Sequence, residues 1–166
     1  MSDVAASPLA VVAEAGSGPL ATILVGVDGS PASVRAVEWT AQLAAVAGSS
    51  VVAVHVLTFN EEFSKDAMSP DTMHTWRRDR EVELKQHWLR PLADAGIAHR
   101  HRIVEADSVD AGLLACAAKS QVDVIVIGAA GSGGVLGRLV DGTSSRLTHR
   151  AKQPVVVVPR AWTADS

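Results

Sequence analysis

The fold is decided by residues 122–143, which read VDVIVIGAAGSGGVLGRLVDGT. The dense apolar run over residues 122–127 predicts a strand that is buried on both faces. It leads into a segment with glycine at positions 128, 131, 133, 134, 137 and 142, and glycine lets backbone N–H groups approach a ligand closely. Residues 141–143 have the pattern of a helix start. A strand, a glycine-rich loop and a helix N-terminus are together typical of a phosphate site, and the alternative is a surface loop without a ligand.

Length and composition indicate one domain with a Val/Ala/Leu core. The chain has 166 residues, 48% of them hydrophobic but only 4% aromatic, which suits a parallel sheet covered by helices. A net charge of −3 gives no reason to expect nucleic-acid binding. The single cysteine, Cys116, lies in an apolar helical context and is interpreted as a core residue, with a reactive thiol as the alternative. No Lys or Arg precedes Arg35, so we expect a cytoplasmic protein without a signal sequence or a membrane span.

The order of elements predicts a doubly wound α/β domain. Residues 1–20 form a disordered tail in this interpretation, residues 21–160 form the domain, and residues 161–166 form a C-terminal tail. Five predicted strands (22–27, 50–56, 99–105, 122–127 and 154–159) alternate with helices over 31–47, 71–95, 108–120 and 141–152. This pattern predicts a five-stranded parallel sheet with helices on both faces. If the strand order is 3-2-1-4-5, Asp28 faces the glycine loop across a crevice between strands one and four.

Several polar residues allow a structural interpretation and a functional one. His55 is interpreted as a satisfied core or edge histidine rather than a metal ligand. His99 and His101 share one face of a polar strand, but no clear third ligand accompanies them. The charged run over residues 77–85 is expected to be a solvated helix face, with a basic ligand patch as the alternative. The long polar connection over residues 57–69 has the length of a lid or a binding loop.

Three separated motifs resemble the universal stress protein family. They are residues 22–33 (TILVGVDGSPAS), the strand end Val54-His55-Val56, and residues 123–158. The resemblance covers residues 22–159 and implies the strand order 3-2-1-4-5. It also implies a cytoplasmic homodimer formed through the last strand, and, in one branch of the family, ATP bound at the glycine loop. The strand residues concerned are Val155, Val156, Val157 and Val158.

The nucleotide-binding branch has Gly-x-x-Gly, nine residues, and then Gly followed by Ser or Thr. Gly128 and Gly131 match the first two glycines. Counting back from Pro154 places Asp141 at the third glycine and Gly142 at the hydroxyl position, while a one-residue slip makes Gly142 and Thr143 the Gly-Thr pair. Facing a triphosphate, the Asp141 carboxylate would cost about 3 kcal/mol at about 5 Å and an effective dielectric near 20. A Mg²⁺ ion shared between Asp141 and the phosphates would turn this repulsion into an attraction.

The resemblance assigns a role to each site residue. Asp28 and the Val56 backbone would hold the adenosine end, Gly128, Gly131 and Gly142 would line the phosphates, and Thr143 would offer a hydroxyl. The alternative for Asp28 is a plain turn and cap residue. Arg138 either meets a phosphate or is solvated.

Other nucleotide motifs and catalytic sets are absent from the sequence. There is no Gly-x4-Gly-Lys-Ser/Thr motif, and the first strand ends in Gly26-Val27-Asp28-Gly29 instead of a dinucleotide fingerprint. No Ser/His/Asp set or metal site has a definable spacing. We therefore expect a stress-response regulatory protein that binds an adenine nucleotide, most simply ATP. The alternatives are a nucleotide-free dimeric interaction module whose phosphate site is closed by Asp141, and an enzyme with slow ATP hydrolysis.

Overall fold

The computed structural model describes residues 18–58, 69–129 and 140–164. Their framework is a five-stranded sheet in which every neighbouring pair is parallel and the order is β3-β2-β1-β4-β5. The predicted strand order is thus confirmed. The strands are β1 (Thr22–Gly26), β2 (Ser50–Leu57), β3 (His99–Glu105), β4 (Val124–Gly128) and β5 (Val155–Val158).

The helices lie on both faces of the sheet, as the sequence predicts. One hydrophobic cluster joins Ile23 and Val25 to the first and third helices and to the π-helical segment before the third, and a second joins Leu24 to the last two helices. Alternate residues of β1 therefore face opposite layers, as the twofold period of a strand requires. The helices are α1 (Pro31–Ala47), α2 (Pro70–Glu83), α3 (Arg90–Asp94), α4 (Val109–Lys119) and α5 (Val140–Arg150), with a π-helical turn at Leu84–Trp88 between α2 and α3.

Helix α1 begins and ends at the predicted residues. The Oγ atom of Ser30 accepts a hydrogen bond from the backbone N–H of Ser33 at 3.2 Å, and Pro31 occupies the first turn. Gly48 follows the last turn with φ 67°, and its N–H donates to the carbonyl of Ala44. The serine cap and the left-handed glycine satisfy end groups that have no partner within the helix.

The helix predicted over residues 71–95 is interrupted by the π-helical turn. Its buried positions are Leu84, Leu89 and Leu92, whose separations of five and three residues do not fit one face of a regular α-helix. The wider turn, closed by the N–H of Leu89 donating to the carbonyl of Leu84 at 3.0 Å, brings these leucines to the core together. Pro91 lies in the first turn of the next helix, α3, where its missing N–H costs nothing. The proline therefore marks a new helix start.

The segments just outside the sheet also pack on the domain. Leu20 and Trp162 both contact the cluster beneath α1, and the side-chain amide of Gln42 donates to the carbonyl of Ala164 at 3.1 Å. The described part of the C-terminal segment therefore lies against α1. Within the described ranges, no helix is both long enough and apolar enough to cross a bilayer.

Candidate functional site

The candidate site lies where the strand order reverses, between β1 and β4. Val25 pairs with Val126, so the carboxyl ends of both strands reach the same edge of the sheet. In open parallel sheets this reversal opens the crevice in which ligands bind. Asp28 follows β1 there and is exposed, while Gly128 ends β4.

Asp28 combines a turn role with a free acceptor. Its Oδ1 atom accepts from the N–H of Ser30 at 2.9 Å, and its own N–H donates to Ser33 Oγ at 3.3 Å. The interpretation of Asp28 as a turn and cap residue therefore accounts for only one of its two carboxylate oxygens. The other, Oδ2, has no partner within the described ranges and can accept a hydrogen bond from a ligand.

The backbone of Val56 points past the end of β1. Ser50 donates its N–H to Ala21 and Val54 accepts from Val27 at 2.9 Å, so even-numbered residues of β2 turn their N–H and C=O groups toward β1. Because β1 ends at Gly26, those of Val56 extend beyond it, beside the Asp28 turn. The same pattern directs the Val56 N–H toward the Val27 carbonyl, so the Val56 C=O is the backbone group that lies beyond the last β1–β2 hydrogen bond.

Gly128 lies against the first turn of α1. A Cβ atom there would come within 2.0 Å of the Ala32 carbonyl oxygen, so glycine is required by helix–strand packing whether or not a ligand binds. Arg35 follows Ala32 by three residues and therefore shares its side of the helix. The Arg35 Nε atom is buried and, within the described ranges, unpaired, which leaves a cationic donor without a protein acceptor.

Gly142 and Thr143 lie in the first turn of α5, which begins at Val140. The three residues predicted to start this helix, 141–143, are therefore helical. A Cβ atom at Gly142 would lie 2.6 Å from Nη1 of Arg146, so that guanidinium reaches back over the first turn. Asp141 belongs to the same turn. Gly131 and Arg138 lie outside the described residues.

A buried carboxylate, which the sequence analysis missed, holds α5 in place. Asp110, in the first turn of α4, is fully buried and accepts from Arg146 Nε and Arg150 Nη1, both at 2.8 Å. Burial alone would raise the pKa of Asp110, but the hydrogen bonds from Arg146 and Ser108 outweigh it and the pKa lies below its ordinary value. The sequence signal for this contact was the pair Arg146 and Arg150, four residues apart on α5. It could not identify the partner, because Asp110 lies 36 residues before Arg146.

The turn that carries Asp28 is backed by an aromatic contact. Gly29 has φ 79°, and a Cβ atom there would lie 2.6 Å from the indole of Trp88. The Trp88 ring lies edge-on to His55 with centroids 5.2 Å apart, and His55 Nδ1 is 2.8 Å from the Val27 carbonyl. Burial lowers the pKa of His55 despite that hydrogen bond, so the neutral ring donates its Nδ1–H to the carbonyl at pH 7. The interpretation of His55 as a satisfied core histidine is confirmed.

The remaining candidates have structural roles. His101 Nε2 lies 3.2 Å from Glu81, and His99 Nδ1 lies 2.7 Å from the Ile97 carbonyl. The described ranges contain no group of three side chains suited to a metal ion. Cys116 is buried, and burial raises the pKa of its thiol, which does not favour the reactive thiolate.

The crevice offers hydrogen-bond acceptors and positive charge to a ligand. Asp28 Oδ2 and the Val56 carbonyl are both acceptors, which suit a donor group of a polar ligand. The Nε of Arg35 and the first turn of α5 offer positive charge for an anion.

Comparison with known proteins gives the family. The profile of the universal stress protein family matches residues 20–159. A universal stress protein of Mycolicibacterium smegmatis is 32% identical over 142 residues, which are 82% of this chain and 45% of the relative. This chain thus spans about half the length of that relative, as it does for a Mycobacterium tuberculosis homologue of which it covers 46%.

Solved structures share the fold. A universal stress protein family member from Burkholderia pseudomallei superposes with a TM-score of 0.68 at 25% identity, over 87% of this chain and 98% of the other. A universal stress protein solved in complex with cAMP gives a TM-score of 0.64 at 24% identity, over 82% and 95%. With the family profile covering most of the domain, the conclusion is that this chain belongs to the universal stress protein family.

Proposed function

We propose that this chain is a cytoplasmic regulatory protein that binds an adenine nucleotide, with ATP as the first candidate. The observation that carries the proposal is that Asp28, whose Oδ2 has no partner within the described residues, follows β1 at the edge of the sheet where the strand order reverses and where the neighbouring strand β2 ends near Val56. These groups complement a base or a ribose. A family member with the same fold was solved with cAMP, which supports an adenylate as the ligand class.

In this proposal the ligand extends from β1 toward α5. Asp28 and Val56 would hold the adenosine end, and Gly128, Gly131, Gly142 and Thr143 would line the phosphates. A Mg²⁺ ion held by Asp141 and the phosphates would neutralise charge there. The N-terminal turn of α5 favours negative charge. Arg146 lies over that turn and is fixed by Asp110, so its charge is held near the phosphate end.

A second candidate is a nucleotide-free interaction module. It is favoured by the presence of Asp141 in the first turn of α5, where an additional carboxylate repels phosphates. In both cases we propose a homodimer through β5, whose Val157 is 37% exposed. An exposed edge strand offers unpaired backbone groups to a second copy.

Identification of the small molecule that copurifies with the protein is the deciding experiment. Denaturing release followed by mass spectrometry is expected to yield an adenine nucleotide, and calorimetric titration is expected to show ATP binding and no GTP binding. Protein without bound nucleotide that also fails to bind ATP, ADP, AMP or cAMP would reject the first candidate and favour the closed module.

The role of Asp141 is tested by removing its charge. If it faces the phosphates, Asp141→Gly and Asp141→Asn tighten ATP binding by up to about a hundredfold, because about 3 kcal/mol of repulsion is removed. Asp71→Asn is the matched control, since Asp71 occupies the first turn of α2. Unchanged or weaker binding in both Asp141 variants would show that its carboxylate points away from the ligand.

A further inference from the structure

A groove separate from the crevice runs between β3 and α4. Its volume is about 530 Å³. One wall belongs to the edge strand β3 and the other to α4, whose Cys116 is 8% exposed. The lining residues that matter here are Arg100, Arg102 and Val104 from β3, and Ala111, Cys116 and Lys119 from α4.

The groove is positively charged and its cations are unpaired. Arg100, Arg102 and Lys119 are exposed, and within the described ranges none of them forms a hydrogen bond or an ion pair. The acidic residue at the wall is Glu105, and Arg77 of α2 pairs with it at 3.1 Å from the other face of the sheet. Three positive charges therefore remain for an external partner.

The spacing of these charges matches an extended chain. Arg100, Arg102 and Val104 are alternate residues of one strand, so their side chains share a face and repeat about every 6.6 Å. A peptide in extended conformation has the same repeat. A segment of the form acidic-x-acidic-x-apolar therefore places carboxylates beside the two arginines and an apolar side chain beside Val104 and Ala111.

The outer edge of β3 is partly closed to another strand. Val51 donates to Ala98 and Ala106 donates to Leu57, so even-numbered residues of β3 bond to β2 and odd-numbered residues face outward. Of the outward groups, the Ile103 carbonyl already accepts from Arg77 Nη2 at 2.9 Å. Side-chain recognition in the groove is therefore favoured over strand addition along the whole edge.

We propose that this groove binds an extended acidic peptide segment of a partner protein. The segment lies along β3, and its carboxylates pair with Arg100, Arg102 and Lys119. Planar guanidinium groups match carboxylates in bidentate geometry. This assignment does not depend on nucleotide binding, since no residue of the crevice contributes a charge to the groove.

Fluorescence anisotropy with a labelled peptide tests the proposal. The probe is a fluorescein-labelled Glu-Ser-Glu-Ser-Val-Ser peptide, and the reference is the same peptide with Lys in place of Glu. We expect the acidic peptide alone to bind, with affinity that falls as salt rises because exposed charges are screened. Arg100→Glu combined with Arg102→Glu is expected to weaken binding by about tenfold or more.

Two controls locate the binding. Arg78→Glu reverses an exposed cation of α2 and is expected to change the affinity less than about twofold. Bound peptide is expected to slow alkylation of Cys116, the single cysteine of the chain, by iodoacetamide. Equal binding of both peptides, equal loss in the Arg78 variant, or unchanged alkylation would overturn the proposal. Tighter binding of tripolyphosphate or single-stranded RNA, lost in the same double variant, would also overturn it by assigning the groove to another ligand.

Discussion

Replacement of Gly128 by alanine tests the packing that shapes the crevice. The added Cβ atom would lie 2.0 Å from the carbonyl oxygen and 3.0 Å from the Cβ atom of Ala32. The closest atom belongs to backbone, so no side chain can rotate away. The end of β4 and the first turn of α1 would have to separate by about 1.4 Å to restore ordinary contact at 3.4 Å.

The expected cost follows from what must move. Val126 and Ile127, which precede Gly128, are 0% and 7% exposed, so a shift of β4 disturbs the core on both faces. We expect Gly128→Ala to lower the free energy of unfolding by about 3 kcal/mol, the upper part of the range for overpacking. For a domain of this size that corresponds to a Tm lower by roughly 6–12 °C.

Urea unfolding followed by far-ultraviolet circular dichroism measures this effect. Gly18→Ala is the matched control, because no atom lies within 4 Å of its would-be Cβ, and it is expected to stay within about 0.5 kcal/mol of the parent protein. A loss below about 1 kcal/mol in Gly128→Ala would refute the close seating of α1 on β4. The same variant is expected to weaken ATP binding, since both displaced segments border the crevice.

Three further predictions concern other contacts. Asp110→Ala removes the acceptor of two half-exposed arginines and is expected to lower the free energy of unfolding by about 2 kcal/mol in urea at pH 7. Asp94→Ala, at an exposed ion pair, is the control and is expected to lower it by less than about 0.5 kcal/mol. Equal losses in the two variants would contradict the anchoring role of Asp110. The pKa of His55 in the folded protein lies below 6.5, so as pH falls the unfolded chain takes up the His55 proton before the folded protein does. The free energy of unfolding therefore decreases as pH falls from about 6.5 toward the lower pKa, by at most about 1.4 kcal/mol per pH unit. We expect His55→Asn to remove this pH dependence and the control His74→Gln to leave it unchanged. The measurement is urea unfolding between pH 5 and pH 8, and a His55→Asn variant whose stability keeps the same pH dependence would refute the assignment to His55. Val157→Lys is expected to convert the proposed dimer to monomer on size-exclusion chromatography, with Val46→Lys, at a 90% exposed site on α1, as control; an unchanged dimer rejects the β5 interface.

The sequence predicts the layers of this fold well, because a parallel strand buried on both faces leaves a continuous apolar run. The runs before Asp28 and Gly128 are of this kind, and each ends at a turn or a glycine segment. The caps of α1 were equally predictable, since Ser30 and Gly48 act on atoms a few residues away. Local chemistry of this kind needs no knowledge of the tertiary structure.

Contacts between distant elements could not be predicted. Asp110 and Arg146 meet because α4 and α5 pack side by side, and nothing in the spacing of the chain specifies that pair. The π-helical turn depends on three leucines reaching one core, and it delivers Trp88 to Gly29. The place of Asp28 at the β1–β4 edge followed from the strand order, whereas Val56 entered the candidate site only through the family resemblance. The reason for glycine at 128 is a neighbouring helix that the sequence did not reveal.

The carboxylate of Asp110 also has a consequence for communication across the molecule. It links the first turn of α4 to α5 by two ion pairs. We therefore expect a displacement of the first turn of α5 to move α4 as well, and with it Lys119 at the groove. If the crevice and the groove are occupied as proposed, we expect binding of the two ligands to be thermodynamically coupled through these ion pairs. If bound nucleotide raises the affinity for the peptide by some factor, bound peptide must raise the affinity for the nucleotide by the same factor.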